Sequence, residues 1–506
     1  MTYDVIVIGA GIGGLSCAAK LAKNGKKVLI LEKNRHVGGT SYVFKRNGYS
    51  FPMGPLSFSF PDRVKSFLSG IGAEIPVEFK RSHFQLITPS LDIIYSLALQ
   101  DVKDDLKNVF PQERTGLEAG FSELENLIDS ARDIHLWHPD YQLGNENRKP
   151  GQESAALGQN LERIREMSRT PARKMLERYL SDQRLINFLG SQGTSEPEMS
   201  LLNLAFMWNM MMREGIWFPS CGIQGLSDLL ADVFMKSGGE IKLGAPAKEI
   251  LIREGKAIGV KSGDGESTFS EWVVSNADYK RTFLELIRPE AIPRDFLDVI
   301  TRVPYTGSEL CVYLGFDPKR VDLSRMRANH LFFRHKEQAE NVEVAGLEDF
   351  ENREFEICLW SANDPSLAPR EKAALVLRVG FPYEHFSVYR KGEKKRREDY
   401  KSYKMRLARK LIQAAENILP GLSSTVEVTE AATPLTYEDW GKRYRGSIAG
   451  WTWNADYEKA LGRKLLIKTP VQNLLMAGIY AASELFLGGV PTAIHTADLA
   501  ADMILS

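Results

Sequence analysis

The chain has 506 residues, too many for one hydrophobic core, so two or three domains are expected. Lysine plus arginine equals aspartate plus glutamate at 65 each, so net charge gives no basis for binding nucleic acid. A hydrophobic fraction of 43% is ordinary for a soluble globular protein, and four scattered cysteines (Cys17, Cys221, Cys311, Cys358) suit reduced cytoplasmic thiols better than disulfides or a metal cluster.

The first strand candidate starts almost at Met1 without a basic lead, so no signal peptide is expected. Val5, Ile6, Val7 and Ile8 form an apolar run too short for a helix, which suits a strand buried on both faces. It leads into Gly9-x-Gly11-x-x-Gly14. Ile12, Leu15, Ala19 and Ala22 then share one helical stripe, and Asn24-Gly25 ends it. A second buried-type strand covers 28–31 and closes at Glu32. The unit has the length of about 30 residues that a βαβ dinucleotide fold requires. Gly9 makes the tight turn, Gly11 admits a pyrophosphate to the backbone, and Gly14 allows close helix–strand packing. The pyrophosphate would sit at the helix N-terminus, where free N–H groups favour an anion. Glu32 can accept hydrogen bonds from a ribose diol and would repel a 2′-phosphate, which argues against NADP. The alternative is a glycine turn that serves packing alone.

Gly38-Gly39 fits a second close approach of backbone to a phosphate, or an ordinary loop. A strand over 42–45, an Asn47-Gly48 hairpin turn and a strand over 49–51 follow, ending at Gly54-Pro55. Together, the segment from Ile8 to Gly14, Leu31-Glu32-Lys33, Gly38-Gly39 and Gly54-Pro55 resemble the FAD-binding start of phytoene desaturase-type flavoproteins. That family includes carotenoid desaturases, carotenoid isomerases and retinol saturases, within the amine oxidase-like FAD superfamily. The resemblance implies an α/β fold: a Rossmann-type, glutathione reductase-like FAD-binding domain with a discontinuous α+β substrate domain. It also implies that Gly9, Gly11, Gly13, Gly14, Glu32, Lys33, Gly38, Gly39, Thr40, Ser41 and Gly54 contact the cofactor. Many relatives carry Arg where this chain has Thr40.

Residues 62–217 read as mostly helical, with a short strand pair near 84–95. Helix ends are expected before Pro111, a helix over 121–128, and a polar surface loop over 138–154. Residues 161–180 are basic and amphipathic (Arg163, Arg165, Arg169, Arg173, Lys174, Arg178), which suits a solvated helix face or a membrane-surface face. The run 201–212 is rich in methionine, which fills cores and also adapts to long apolar ligands; the resemblance favours a substrate-tunnel wall. It carries Asn203 and Asn209 and is about half the length needed to span a bilayer, so membrane contact is expected to be peripheral.

From Gly215 a helix to Ser237, a strand over 240–243 and a β-meander over 247–278 are expected, spliced into the parallel sheet. In relatives the residue matching Ala247 meets the adenine through its backbone. Strands over 309–316, 355–360 and 374–381 suggest a sheet that roofs a cavity, and 391–410 reads as a highly charged helix. Residues 473–478 read as a last parallel strand, followed by a helix through Met503 with Pro491 in its first turn. By resemblance, that helix N-terminus points at the flavin, with Gly478, Gly489, Val490 and Thr492 as contacts. The expected FAD-binding domain comprises 1–75, 215–290 and 465–506. The substrate domain comprises 76–214 and 291–464, with a helical part able to face a membrane.

No Ser/His/Asp, paired-carboxylate or metal spacing stands out, which fits chemistry carried by a flavin in an apolar channel. Glu484 is the acid placed nearest the flavin edge, as a proton acceptor or as a carboxylate bonded to backbone. His495 reads as a packed core histidine, and Trp451 and Trp453 as substrate lining or aromatic core. The expected function is an FAD-dependent oxidoreductase acting on C–C or C=C bonds of a long apolar isoprenoid or polyene, by hydride transfer to flavin N5. The alternatives are a flavin-dependent carotenoid cis–trans isomerase, a retinol saturase-like reductase, and a non-catalytic prenyl-binding protein. The expected partner is a hydrophobic small molecule, with peripheral membrane association, no nucleic acid, and a cytoplasmic location.

Overall fold

The computed structural model describes residues 2–54, 57–73, 77–133, 163, 166–167, 169–191, 200–337, 346–448, 450, 466–482 and 489–506. Strand Thr2–Ile8 lies between Val28–Glu32 and Ser267–Ser275, parallel to both. Glu240–Leu243 extends the sheet beyond Val28–Glu32, and Leu474–Met476 joins beside Ser267–Ser275, again in parallel. The meander Ala247–Arg253, Lys256–Ser262 and Ser267–Ser275 is antiparallel, so the sheet is mixed only at that edge. Val5, Ile6 and Val7 are fully buried because helix Ile12–Lys23, flanked by Gly222–Lys236 and Gly489–Leu505, covers the sheet. Ile8 pairs with Leu31 and Ser275, so the residues after all three strands emerge at one carboxyl edge.

A second seven-stranded sheet runs in the order Val426–Ala432, Glu309–Phe316, Ala373–Gly380, Phe355–Cys358, His330–Phe333, Phe84–Ile87, Asp92–Ile94. Its strands alternate with period two. One face (Leu310, Val312, Leu314, Ile357, Leu375, Leu377) packs on Leu407 and Leu411 of helix Tyr400–Ala415. The opposite face brings Cys311, Tyr313, Val376 and Cys358 into the core that also holds the first sheet. Tyr313 packs against the rings of both Phe44 and Phe51, from the hairpin Val43–Arg46 and Tyr49–Pro52, which turns at Asn47-Gly48 as its sequence dictates. Helices Leu99–Val109, Arg114–Asp133, Ala172–Tyr179 and Leu201–Trp208 build a separate core around Leu106, Phe121, Leu176 and Trp208. Among the described residues no helix is long and apolar enough to cross a membrane.

Several expectations need correction. The charged run 391–410 is not one helix: Arg390–Gly392 and Lys395–Arg396 pair as a hairpin, and the helix is Tyr400–Ala415. Gly392 and Lys394 both take positive φ, which a helix cannot accommodate. The helix is also not merely solvated, since Leu407, Ala408 and Leu411 are buried. The strand expected to reach Trp360 stops at Cys358, where Trp360–Asn363 turns helical ahead of Asp364-Pro365. An unanticipated strand, Phe79–Ser82, pairs with Ile216–Pro219 and ties the helical region to the first sheet's layer. The loop 138–154, Arg165, Pro55, Trp451, Trp453 and Glu484 lie outside the described residues.

Candidate functional site

The carboxyl edge of the first sheet is where the two ends of the chain meet. Gly11 precedes helix Ile12–Lys23 in extended conformation, and no side chain caps the helix. Its N-terminal amides are therefore left for a ligand, with the helix dipole favouring an anion. Packing here is so close that side chains are excluded. A Cβ at Gly14 would stand 2.0 Å from the Gly9 carbonyl oxygen, and one at Gly13 would stand 2.5 Å from the Gly478 Cα. Gly478 itself has φ +88, and its N–H and carbonyl are both held by the Thr496 hydroxyl of the terminal helix.

Asn276, just after strand Ser267–Ser275, fills the centre of this junction. A Cβ at Gly478 would come within 2.0 Å of its Oδ1, and one at Gly11 within 3.0 Å of its Nδ2. Sequence reasoning read Asn276 only as part of a strand end. It touches glycines more than 200 positions away at both ends of the chain, and nothing local signals that.

Glu32 is buried with both carboxylate oxygens bonded to backbone: Oε2 accepts from Ala10 N–H at 2.7 Å, and Oε1 from Asn34 N–H at 2.8 Å. Each oxygen keeps a second lone pair for a ribose hydroxyl. The loop after Glu32 folds back on the glycine turn. Gly38 N–H donates to the Ala10 carbonyl at 2.8 Å, and a Cβ at Gly39 would lie 3.3 Å from Gly11 Cα. Thr40 and Ser41 form a single 3-10 turn there, and Gly54 returns so closely that a Cβ would meet the Thr40 carbonyl at 2.9 Å. Ala245 N–H donates to the Glu32 carbonyl, which brings the start of strand Ala247–Arg253 beside Glu32.

The Lys33 side chain reaches Trp440. Its ammonium donates to the Trp440 carbonyl, and burial lowers its pKa to about 8, with Glu32 opposing and Lys442, Arg443 and Lys394 adding to the shift. Gly489 and Val490 open the terminal helix, with Pro491 and Thr492 buried behind them. The Thr492 hydroxyl is buried with no partner among the described residues. His495, further along the same helix, is half-buried.

The uncapped helix, the glycine-lined cradle, the acid after the second strand and the orphaned Thr492 hydroxyl together fit a diphosphate-linked dinucleotide such as FAD.

A second joint lies beside this cradle. Asp278 caps helix Tyr279–Leu284 through the Lys280 and Arg281 N–H groups, and its other oxygen accepts from Tyr444 N–H. Burial pushes its carboxyl pKa up while those N–H groups pull it down. Ser447 bonds to both Asp278 and Tyr480, so this carboxylate ties segment 443–448 to the last strand's exit.

The inward face of the second sheet carries a line of charge. Arg378 bridges Glu309 and Glu356 at 2.8 Å each, and His330 Nε2 meets the same Glu356 oxygen at 3.0 Å. Tyr437 donates to Glu309 at 2.9 Å. The possible ligand atoms of His330, Glu356 and Cys358 lie within 4.8 Å of one another, and the Arg378 guanidinium already supplies the cation there. Burial alone would lower the His330 pKa, but Cys358 and Glu356 outweigh it and raise it to about 9. Burial would likewise raise Glu356, yet Arg378 and His330 hold it down to about 2. Glu356 and Arg378 keep 24% and 16% of their side chains exposed on inner strands, so packing does not close this face. Phe84 stacks on His330 at 4.2 Å and His330 on Phe332 at 5.2 Å, which sets aromatic rings beside the charge line.

The methionine-rich run is divided between two roles. Leu202, Leu204, Trp208, Met211 and Met212 are buried in the helical core. Ala205 and Phe206, which belong to the same core, also line a cleft together with Asn209. Met211 and Met212 are taken up by that core, Met207 and Met210 are half-buried outside it, and the cleft wall itself is aromatic, aliphatic and polar.

The family described as flavin containing amine oxidoreductase matches residues 12–505. The chain is 26% identical over 465 residues to the chloroplastic prolycopene isomerase of Arabidopsis thaliana, covering 88% of this chain and 74% of that protein. It is 25% identical over 471 residues to the zeta-carotene-forming phytoene desaturase of Myxococcus xanthus, covering 89% and 84%. An oxidoreductase from Methanosarcina mazei shares the fold at TM-score 0.64 and 19% identity, covering 98% of this chain and 99% of that one.

Proposed function

Because the chain belongs to the flavin containing amine oxidoreductase family, its cofactor is FAD, and we propose that it oxidises or reduces carbon–carbon bonds of a long apolar polyene. The observation that carries this reading is the glycine junction at which Gly13, Gly478 and Asn276 close both chain ends into one cradle. The polyene class is supported by the prolycopene isomerase and phytoene desaturase relatives.

In this reading residues 1–75, 215–290 and 465–506 hold the cofactor, and 76–214 with 291–464 hold the substrate. The Gly11–Gly14 turn faces the diphosphate, with Gly38, Gly39, Thr40, Ser41 and Gly54 packed behind it. Glu32 accepts from the ribose diol, the Ala247 backbone borders the adenine, and Gly478, Gly489, Val490 and Thr492 border the flavin ring. Lys33 braces the cradle against segment 438–443 through Trp440. FAD, when bound, supplies hydride acceptor or donor chemistry. The chain must position the polyene, exclude water and handle one proton. The inward sheet face orients an apolar chain with Phe84 and Phe332, while its charges are paired with one another. In desaturation the proton leaving the carbon next to the hydride donor is taken by a carboxylate, and Glu484 is the proposed acceptor. Access for so apolar a substrate is proposed from a membrane surface, reached peripherally by the helical part, where Arg173, Lys174 and Arg178 supply a basic face.

Anaerobic assay of the purified holoenzyme with phytoene and with prolycopene, with and without prereduction, tests the reading. Desaturation consumes one equivalent of electron acceptor per double bond formed. Redox-neutral isomerisation, favoured by the prolycopene isomerase relatives, requires reduced flavin and consumes none. Absence of a bound flavin spectrum, or inertness towards both polyenes in both redox states, refutes it. Glu484→Gln is expected to slow desaturation about 100-fold with flavin retained.

A further inference from the structure

Between the helical core and the first sheet's layer lies a cleft of about 440 Å³, walled by Phe60, Ile128, Ala205, Phe206 and Trp217 and reached by Asn209. Three local anomalies converge on it. Helix Leu201–Trp208 does not continue as an α-helix but widens into a π-helix over Asn209–Glu214, a form that clusters at functional sites. Phe60, the residue preceding helix Pro61–Gly70, is held in left-handed backbone at φ +54, a conformation that a bulky residue keeps only when its surroundings impose it. The Asn209 amide is 8% exposed, and its Oδ1 is buried without a hydrogen-bond partner among the described residues. Buried amides are nearly always paired, so one left open beside a cavity marks a place for a ligand.

The lining selects the ligand's chemistry. Arg213 is paired with Asp129 at 2.5 Å and Asp62 with Lys65 at 3.6 Å, and Glu214 balances Arg63, so the cleft favours a neutral molecule. An amide offers both a donor and an acceptor, matching a hydroxyl, which does the same. At about 30 Å³ per water-sized atom the space holds about fifteen non-hydrogen atoms. The Trp217 indole N–H is spent on the Glu214 carbonyl, so its ring is left to act as an apolar wall.

We propose that this cleft binds the hydroxyl-bearing end of a prenyl chain, with Asn209 pairing the hydroxyl and Phe60, Phe206 and Trp217 packing the hydrocarbon. The choice of a prenyl chain rests on the polyene reading; the cleft and its neutral, hydroxyl-seeking character do not. The sequence pattern that builds it is visible in retrospect. Ala205, Asn209 and Arg213 recur every four positions, and all three line the cleft.

The test titrates the purified holoenzyme with farnesol and with farnesene, a prenyl alcohol and its hydrocarbon counterpart, following tryptophan fluorescence, with Trp217→Phe assigning the signal to the cleft. Farnesol is expected to bind at least about tenfold more tightly than farnesene. Asn209→Leu is expected to erase that difference while leaving the flavin absorbance in place. Equal affinities in the unaltered protein, no farnesol binding, or a preference that survives Asn209→Leu each overturn the proposal. Should Asn209→Leu fail to fold, the comparison of the two ligands on the unaltered protein still decides. Polyene turnover is measured on the same preparation: its absence with the farnesol preference intact refutes the polyene reading alone, and the converse refutes the cleft alone.

Discussion

In the proposed reading the molecule's two large sheets solve the same task, presenting one edge or face to a ligand, by opposite means. The first sheet does so by leaving side chains out. Around Gly9, Gly11, Gly13, Gly14 and Gly478 there is room for backbone and for one wedged amide, Asn276, and for nothing larger. The second sheet does so by adding charge. Its inward face carries Glu309, Arg378, Glu356 and His330 across four strands, each neutralised by the next. A site made of absences fails by steric intrusion, and a site made of paired charges fails when one member is removed. Flavin contents and stabilities of variants should separate the two.

The largest effect on stability is expected from Arg378→Met. It leaves Glu309 buried and Glu356 three-quarters buried without their shared cation, which costs about 3 kcal/mol in urea unfolding. If its stability stays within about 1 kcal/mol of the parent, the charge line is not what holds the second sheet.

His330→Gln comes next, and its effect depends on pH. The His330 pKa rises from its ordinary 6.5 to about 9 in the folded protein, so its contribution is complete below pH 6.5 and is lost as pH climbs through 9. Glu356 falls from 4.5 to about 2, so its contribution is present above pH 4.5 and is lost as pH drops through 2. The gap between parent and variant should therefore be about 2–3 kcal/mol at pH 6 and close towards pH 10. A gap independent of pH would assign His330 to packing alone.

Lys33→Met should matter least. It removes one bond to the Trp440 carbonyl at a partly exposed site, for a stability change of about 0.5 kcal/mol or less. Flavin content should be unchanged; a loss of flavin would return Lys33 to the cofactor.

The contrast also explains what could be read from the sequence. The first strand, the glycine turn, the helix and Glu32 occupy consecutive residues, and each follows from period, turn chemistry and caps acting locally. The hairpin at Asn47-Gly48, the meander and the terminal helix were legible for the same reason. The charge line was not. Its members stand at 309, 330, 356 and 378 and become neighbours only through antiparallel pairing, as when Glu356 comes opposite Arg378. Alternation within each strand announced a buried face but gave no register. Asn276 was hidden for a related reason, being defined by contacts with both chain ends. The charged stretch 391–410 misled because solvated helices and charged hairpins share a composition, and only the positive φ at Gly392 and Lys394 separates them. The π-helix at Asn209–Glu214 has no periodic signature of its own.

The claim on which the rest depends is that the two ends of the chain close on each other to hold FAD. Gly13→Val places a side chain where the Gly478 Cα stands, with Gly70→Ala, which meets nothing within 4 Å, as the control. Measured as the ratio of flavin to protein absorbance after purification, Gly13→Val should retain less than about a tenth of the bound flavin, and Gly70→Ala all of it. Full flavin occupancy in Gly13→Val would contradict the account.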